Sequence, residues 1–190
     1  VKNIPEYLQN SLLQWYRSSR RDLPWRKTRD PYSVWISDVI LQQTQVSQGT
    51  AYFLRFMERF PTVDDLASAE PDTLMKTWEG LGYYSRARNL RIAARDVVAR
   101  FSSRVPTRYD DLISLKGIGP YTAAAIASIC GNEPVAVVDG NVFRVISRLF
   151  GINLPRDSTA GQNLVRQYAV KILNRDFPGD HNQAMMELGA

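Results

Sequence analysis

Three stretches hold residue types and spacings that could do chemistry. In "VWISDVILQQTQV", residues 34–46, Asp38 sits among Trp35, Ile36, Val39, Ile40 and Leu41. A carboxylate among so many apolar neighbours is costly to bury unless it is paired or protonated, so its presence asks for a use. In "LKGIGPYTAAAIAS", residues 115–128, Leu115, Gly117, Ile118 and Gly119 make a tight turn ahead of a helix that opens on Pro120. Glycine permits positive φ and close backbone approach, and the N–H groups of such a turn and of the following helix N-terminus point outward as an anion site. Two readings stand: a grip on a phosphate, or an ordinary glycine-rich helix connection. In "VAVVDGNVFRVISRLFG", Asp139 follows an apolar stretch and precedes Gly140, Asn141 and an amphipathic helix. It is either a plain helix N-cap, a position Asp fills well, or a functional carboxylate.

The elements that must position these groups read as helices. "YLQNSLLQWYRSS" is amphipathic through Leu8, Leu12, Leu13, Trp15 and Tyr16. "DPYSVWISDVILQQTQV" opens with the capping Asp30 and the helix-starting Pro31. "QGTAYFLRFMERF" is a helix ended by Pro61, and "SRARNLRIAARDVVARF" sets Leu90, Ala94, Val97, Val98 and Phe101 against a face of arginines. With "TVDDLASA", "EPDTLMKTWEGL", "RYDDLISL", "TAGQNLVRQYAVKIL" and "HNQAMMELGA", the chain reads as all-α, about ten short helices with short connections. "EPVAVV" is the only strand candidate. "NQAMMELGA" stops without a C-cap, which reads as the end of a fragment.

Composition narrows the classes. The 190 residues carry 24 Lys plus Arg against 19 Asp plus Glu, a net charge of +5 with Arg well ahead of Lys. That balance favours an anionic partner, nucleic acid first. No apolar run is long enough to cross a bilayer, and the N-terminus is not built like a signal peptide. One cysteine, Cys130, allows neither an internal disulfide nor a cysteine metal cluster within this chain. A reducing, cytoplasmic setting is expected. Cys130 reads as a buried small hydrophobe and His181 as a helix-start or surface residue.

The motif L-x-G-I-G-x-x-T-A, followed about twenty residues later by V-D-G-N-V-x-R-V, resembles the helix–hairpin–helix DNA glycosylase superfamily. Within it, "LPWR" at 23–26, "PYSVWISDVILQQTQV", "WEGLGYYSRARNL" and "NQAMMELGA" are similar to the adenine-specific mismatch glycosylases, the MutY family. The likeness runs from about Leu8 to Ala190. It implies two helical lobes with a DNA-binding cleft: a central bundle over 27–137 containing the hairpin at 108–128, and a discontinuous lobe of 1–26 plus 138–190. It implies excision of adenine mispaired with 8-oxoguanine or guanine from double-stranded DNA, by a monomer acting on DNA (in the nucleoid, if bacterial). Relatives carry a four-iron, four-sulfur cluster beyond the "LGA" helix and often a monovalent cation in the hairpin; the cluster's ligands are absent here.

The resemblance also assigns residues. Asp38 takes the position of the general acid that protonates the base. Asp139 faces the sugar as positive charge develops, with Asn141 and Tyr121 lining the same region. Trp25, Arg26, Leu41 and Glu187 form the base pocket. Gln43 is the polar plug, and Leu81 and Tyr83 the apolar wedge that props a base stack open. Lys116, Gly117, Ile118, Gly119, Tyr121 and Thr122 hold DNA phosphate at the hairpin. Arg86, Arg88 and Arg91 are candidates for further phosphate contacts, against a solvated helix face. Tyr121 stands where strand-cleaving relatives such as endonuclease III carry Lys for a Schiff base, so a monofunctional enzyme is expected. The family has Glu where this chain has Asp38, which implies a slow enzyme or a silent mismatch-binding form. A thymine–guanine mismatch glycosylase is the alternative within the superfamily.

Overall fold

The computed structural model describes residues 4–190, with side chains from residue 6 onward. The described residues form α1 (Ile4–Ser19), a 3-10 turn (Pro24–Arg26), α2 (Pro31–Leu41), α3 (Val46–Arg59), α4 (Val63–Ser68), α5 (Pro71–Thr77), α6 (Ser85–Phe101), α7 (Tyr109–Ile113), α8 (Pro120–Gly131), α9 (Gly140–Phe150), α10 (Thr159–Ile172) and α11 (Pro178–Gly189). None of these residues lies in a strand. No described helix is long and apolar enough to cross a membrane. The chain divides into two compact units, Asp22–Ile126 and a discontinuous one of Val1–Arg21 with Ala127–Ala190.

In the unit 22–126, α2 is the core helix. Asp30 caps it, accepting from the N–H groups of Tyr32 and Ser33, and Pro31 occupies the first turn. Both signals were readable in sequence. Tyr32 to Ser37, Val39 and Ile40 are all buried, so the helix is apolar nearly all round. It stops at Leu41 rather than running on to Val46, and the carbonyls of Val39 and Gln42 at its end are taken by Arg86 of α6. Gln42 is extended and Gln43 takes a positive φ of 61°. Helix α6 packs on α4, and two of its arginines reach that helix's C-terminal carbonyls: Arg91 Nε donates to Ala69 O at 2.6 Å and Arg95 Nε to Ala67 O at 3.0 Å. Between α7 and α8, Gly117 has φ 80°, and a Cβ there would lie 2.7 Å from the Asn89 Cβ of α6. The hairpin therefore needs glycine at 117 for conformation and for contact.

The discontinuous unit is centred on a core of Leu12, Tyr16, Val142, Phe143, Ile146, Val165, Ile172 and Met185, contributed by α1, α9, α10 and α11. Helices α9 and α11 approach closely: a Cβ on Gly189 would sit 2.5 Å from Asn141 O. The one strand candidate, "EPVAVV", forms no strand. The Asn182 side chain takes the place of a neighbouring strand instead, accepting from Val137 N at 3.1 Å and donating to Val135 O at 2.8 Å and Ser128 Oγ at 2.9 Å. These bonds tie 128–137 to α11, so the division falls at Ile126, where the motif-based expectation had Val137. His181, expected as a helix-start or surface residue, lies in the first turn of α11 and is buried there, at 2% exposure. Cys130 is only partly buried.

Candidate active site

Within 22–126, the Asp38 carboxylate is partly buried on α2, and the Thr122 hydroxyl donates to its Oδ2 at 2.6 Å. Thr122 is 2% exposed and in turn accepts from Gln42 Nε2 at 3.4 Å. The partly buried carboxylate thus accepts from a hydroxyl on the helix that follows the hairpin. Thr122 was expected to meet DNA. Its side chain instead works on Asp38, and only its backbone belongs to the hairpin helix. Tyr121, one residue earlier, is partly exposed.

The hairpin sorts its own residues. Lys116, Gly117 and Gly119 are exposed. Ile118 does not belong with them: its side chain is 5% exposed and its N–H donates to Leu115 O at 3.2 Å. It anchors the turn from inside, where an apolar residue gains most.

Trp25, in the 3-10 turn, is 9% exposed and meets Phe53 edge-on with ring centroids 5.3 Å apart. Leu41 packs so closely on Gly49 that a Cβ there would lie 2.7 Å from Leu41 Cδ2. Arg26 is half-buried. Two turns project polar and aromatic groups. Gln43 is exposed at the end of α2, and Tyr83, with φ 45°, is 64% exposed in the loop before α6. Leu81, expected beside Tyr83 as a wedge, is buried at 8% exposure and holds the base of that loop. Tyr83 stands as the one exposed apolar group of the pair. Arg86, a candidate for phosphate contact, has its guanidinium engaged within the unit. Its guanidinium donates to the carbonyls of Val39, Ile40, Gln42, Leu81 and Gly82, and burial lowers its pKa from the ordinary value. Of the three candidate arginines in "YYSRARNLR", only Arg88 is exposed.

In the discontinuous unit, Asp139 begins α9. Its Oδ1 accepts from Val142 N at 2.7 Å and its Oδ2 from Asn141 Nδ2 at 3.1 Å. Cap and functional carboxylate are therefore compatible readings of one residue: the cap bond fixes the carboxylate at a helix N-terminus, where negative charge is favoured. Glu187, on α11, has a side chain only 7% exposed. Arg21 grips it in a bidentate fork, Nε to Oε1 and Nη2 to Oε2, both at 2.7 Å, and the Arg21 N–H adds a third bond at 3.2 Å. This pairing raises the Arg21 pKa above its ordinary value, chiefly through the hydrogen bond to Glu187. Sequence reasoning missed Arg21; the basic run "RSSRR" ahead of "DLPWR" was its only trace.

The residues present do not fit a four-cysteine cluster, since Cys130 is the one cysteine. Among the described residues no three His, Cys, Asp or Glu side chains converge as a metal site.

The chain is 44% identical over 199 residues to the adenine DNA glycosylase of Rattus norvegicus, covering 100% of this chain and 38% of that protein. It is 44% identical over 191 residues to the Homo sapiens protein of the same name, covering 96% of this chain and 35% of that one. The chain thus spans little more than a third of the length of these curated relatives. Among solved structures, a thermostable thymine-DNA glycosylase superposes with a TM-score of 0.86 at 28% identity, over 98% of this chain and 86% of that one. Endonuclease III trapped in a covalent DNA intermediate gives 0.78 at 22% identity, over 98% and 84%, a likeness of fold. The decisive match covers residues 36–168, from the Asp38 helix through the hairpin and Asp139 into α10, and it is to base excision DNA repair proteins. A match of that extent, about two thirds of the chain and including the Asp38 helix, the hairpin and Asp139, makes the chain a member of the HhH-GPD superfamily of base excision DNA repair proteins.

Proposed function

We propose that this chain removes adenine mispaired with 8-oxoguanine or guanine from double-stranded DNA, by acid-assisted hydrolysis of the N-glycosidic bond and without strand scission. The observation that carries the substrate is the 44% identity, over the whole chain, to proteins named adenine DNA glycosylase. A base inside a duplex cannot be reached, so the nucleotide is extruded into a pocket. Asp38 gives its proton to the leaving adenine, which departs neutral. Asp139 stabilises the cation left on the sugar, and water adds there. The Thr122 hydroxyl holds Asp38 in place, and the cap bond to Val142 N holds Asp139. Trp25, Arg26, Leu41 and Glu187 receive the base, while Gln43 and Tyr83 enter the helix it leaves. Exposed Lys116, Gly117 and Gly119 meet phosphate. Tyr121 has no amine, so no Schiff base forms with the sugar.

A second reading, thymine release from thymine–guanine mismatches, draws support from the structural likeness to a thymine-DNA glycosylase. Single-turnover assays on duplexes differing only in the mismatch separate the two. Adenine release opposite 8-oxoguanine or guanine, with borohydride trapping no enzyme–DNA adduct, is expected. Thymine release alone, or a trapped adduct at useful yield, would overturn the proposal.

A further inference from the structure

Arg86 is a half-buried cation whose guanidinium bonds only to backbone carbonyls. Nη1 donates to Val39 O at 2.6 Å, Gln42 O at 2.7 Å and Ile40 O at 3.4 Å, all at the end of α2. Nη2 donates to Leu81 O at 3.0 Å and Gly82 O at 3.3 Å, in the loop before α6. The carbon of the guanidinium also lies 5.2 Å from the ring centre of Trp78 and 5.7 Å from that of Tyr83. Trp78 is fully buried and donates its indole N–H to the same Gly82 carbonyl at 3.0 Å. One side chain therefore spans two segments that are about forty residues apart in sequence.

The pattern of carbonyls has a purpose. Gln43 (φ 61°) and Tyr83 (φ 45°) are non-glycine residues in the left-handed region. Such conformations persist only where the surroundings over-determine them. The φ of a residue is rotation about its N–Cα bond, so it is set by the peptide plane that precedes it. The carbonyls of those two planes are Gln42 O and Gly82 O, and Arg86 bonds to both. Both residues it fixes are exposed.

We propose that Arg86 is a positioning residue that locks Gln43 and Tyr83 into one rigid two-pronged probe of the DNA duplex; this rests on the proposed reading in which those two groups enter the helix. Only arginine suits the task. Its planar fork serves acceptors on two sides at once, whereas a lysine ammonium is a single point on a flexible stem. Without the clamp each turn relaxes toward an ordinary conformation, and the two prongs lose their common register.

The test reads DNA opening rather than base release. A 2-aminopurine placed next to a mismatched adenine reports unstacking by its fluorescence. The parent should raise that emission on binding. Arg86→Lys should lose most of the rise, by about threefold or more, while its affinity for fully paired DNA stays within about twofold. In a Gln43→Ala, Tyr83→Ala background, Arg86→Lys should have no further effect on opening, because the residues it acts through are gone. An Arg86→Lys protein that opens DNA as the parent does, or an effect of equal size in both backgrounds, overturns the proposal. So does a parent that opens no mismatched duplex. If Arg86→Lys does not fold, the parent decides. The guanidinium protons of a clamped Arg86 give separate, slowly exchanging NMR signals, and a single averaged signal refutes the clamp. A parent that opens mismatches but releases no adenine refutes the substrate reading and leaves the clamp standing.

Discussion

Asp38 is one methylene shorter than the glutamate of the family pattern, and its Oδ2 already accepts from Thr122 at 2.6 Å. A general acid must come within about 2.6–3.2 Å of the atom it protonates, or act through one water. Misplacement of about 1 Å can cost on the order of a hundredfold in rate. Asp38→Glu should therefore raise single-turnover adenine release by about tenfold or more, and Asp38→Asn should abolish it. Asparagine releasing adenine at the parental rate would make Asp38 a structural residue. His181 makes a separate prediction at the same scale. Burial pushes its pKa down to about 4 from 6.5, and its Nδ1 has no hydrogen-bond partner among the described residues. The unfolded chain takes up this proton at a higher pH than the folded one. Stability is therefore full above about pH 6.5 and is lost as pH falls from there toward about 4. The loss reaches about 2–3 kcal/mol by about pH 4.5. His181→Leu cannot titrate, so its urea midpoint should fall less than the parent's between about pH 7 and about pH 4.5. Parallel curves for the two proteins would show that His181 does not set this slope.

At the scale of elements, α9 separates what a carboxylate does for the fold from what it does for chemistry. Asp139 caps the helix through Val142 N, and asparagine caps about as well as aspartate. Asp139→Asn should change stability by no more than about 0.5 kcal/mol and remove adenine release. Asp139→Ala should lose release and also about 1 kcal/mol of stability. A destabilised Asn variant that still releases adenine would leave Asp139 as a cap alone. The same element marks what the sequence made legible. Caps and starts depend on neighbours in sequence, so Asp30-Pro31 and Asp139 could be read directly. So could the Gly117 turn, because only glycine fits its φ and its contact with Asn89. What escaped depends on residues far apart. The end of α2 at Leu41 rests on Arg86, some forty-five residues on, and the failed strand at 133–138 rests on Asn182. Arg21 was invisible because its partner is Glu187. Leu81 and Tyr83 share one motif, and only packing distinguishes the buried anchor from the exposed ring.

For the molecule as a whole, net charge is a poor guide to which cations meet DNA. The excess of +5 suggests a broad electrostatic footprint, yet the arginine-rich helix α6 uses much of its charge internally. Arg86 serves the end of α2, and Arg91 and Arg95 serve the end of α4. Lys116, by contrast, is exposed on the hairpin turn. Binding to duplex DNA releases counterions, so log K falls linearly with log salt, by about 0.9 for each phosphate neutralised. Lys116→Gln should weaken binding and reduce that slope by about one unit, with little change in melting temperature. Arg91→Gln should do the reverse. Its slope stays parental, while stability falls by about 1–2 kcal/mol because the carbonyl of Ala69 loses a charged donor. Measuring both variants by salt titration and by thermal melting separates the two classes of cation. A shallower slope for Arg91→Gln at unchanged stability would put α6 on the DNA and show that its bond to Ala69 gives way on binding.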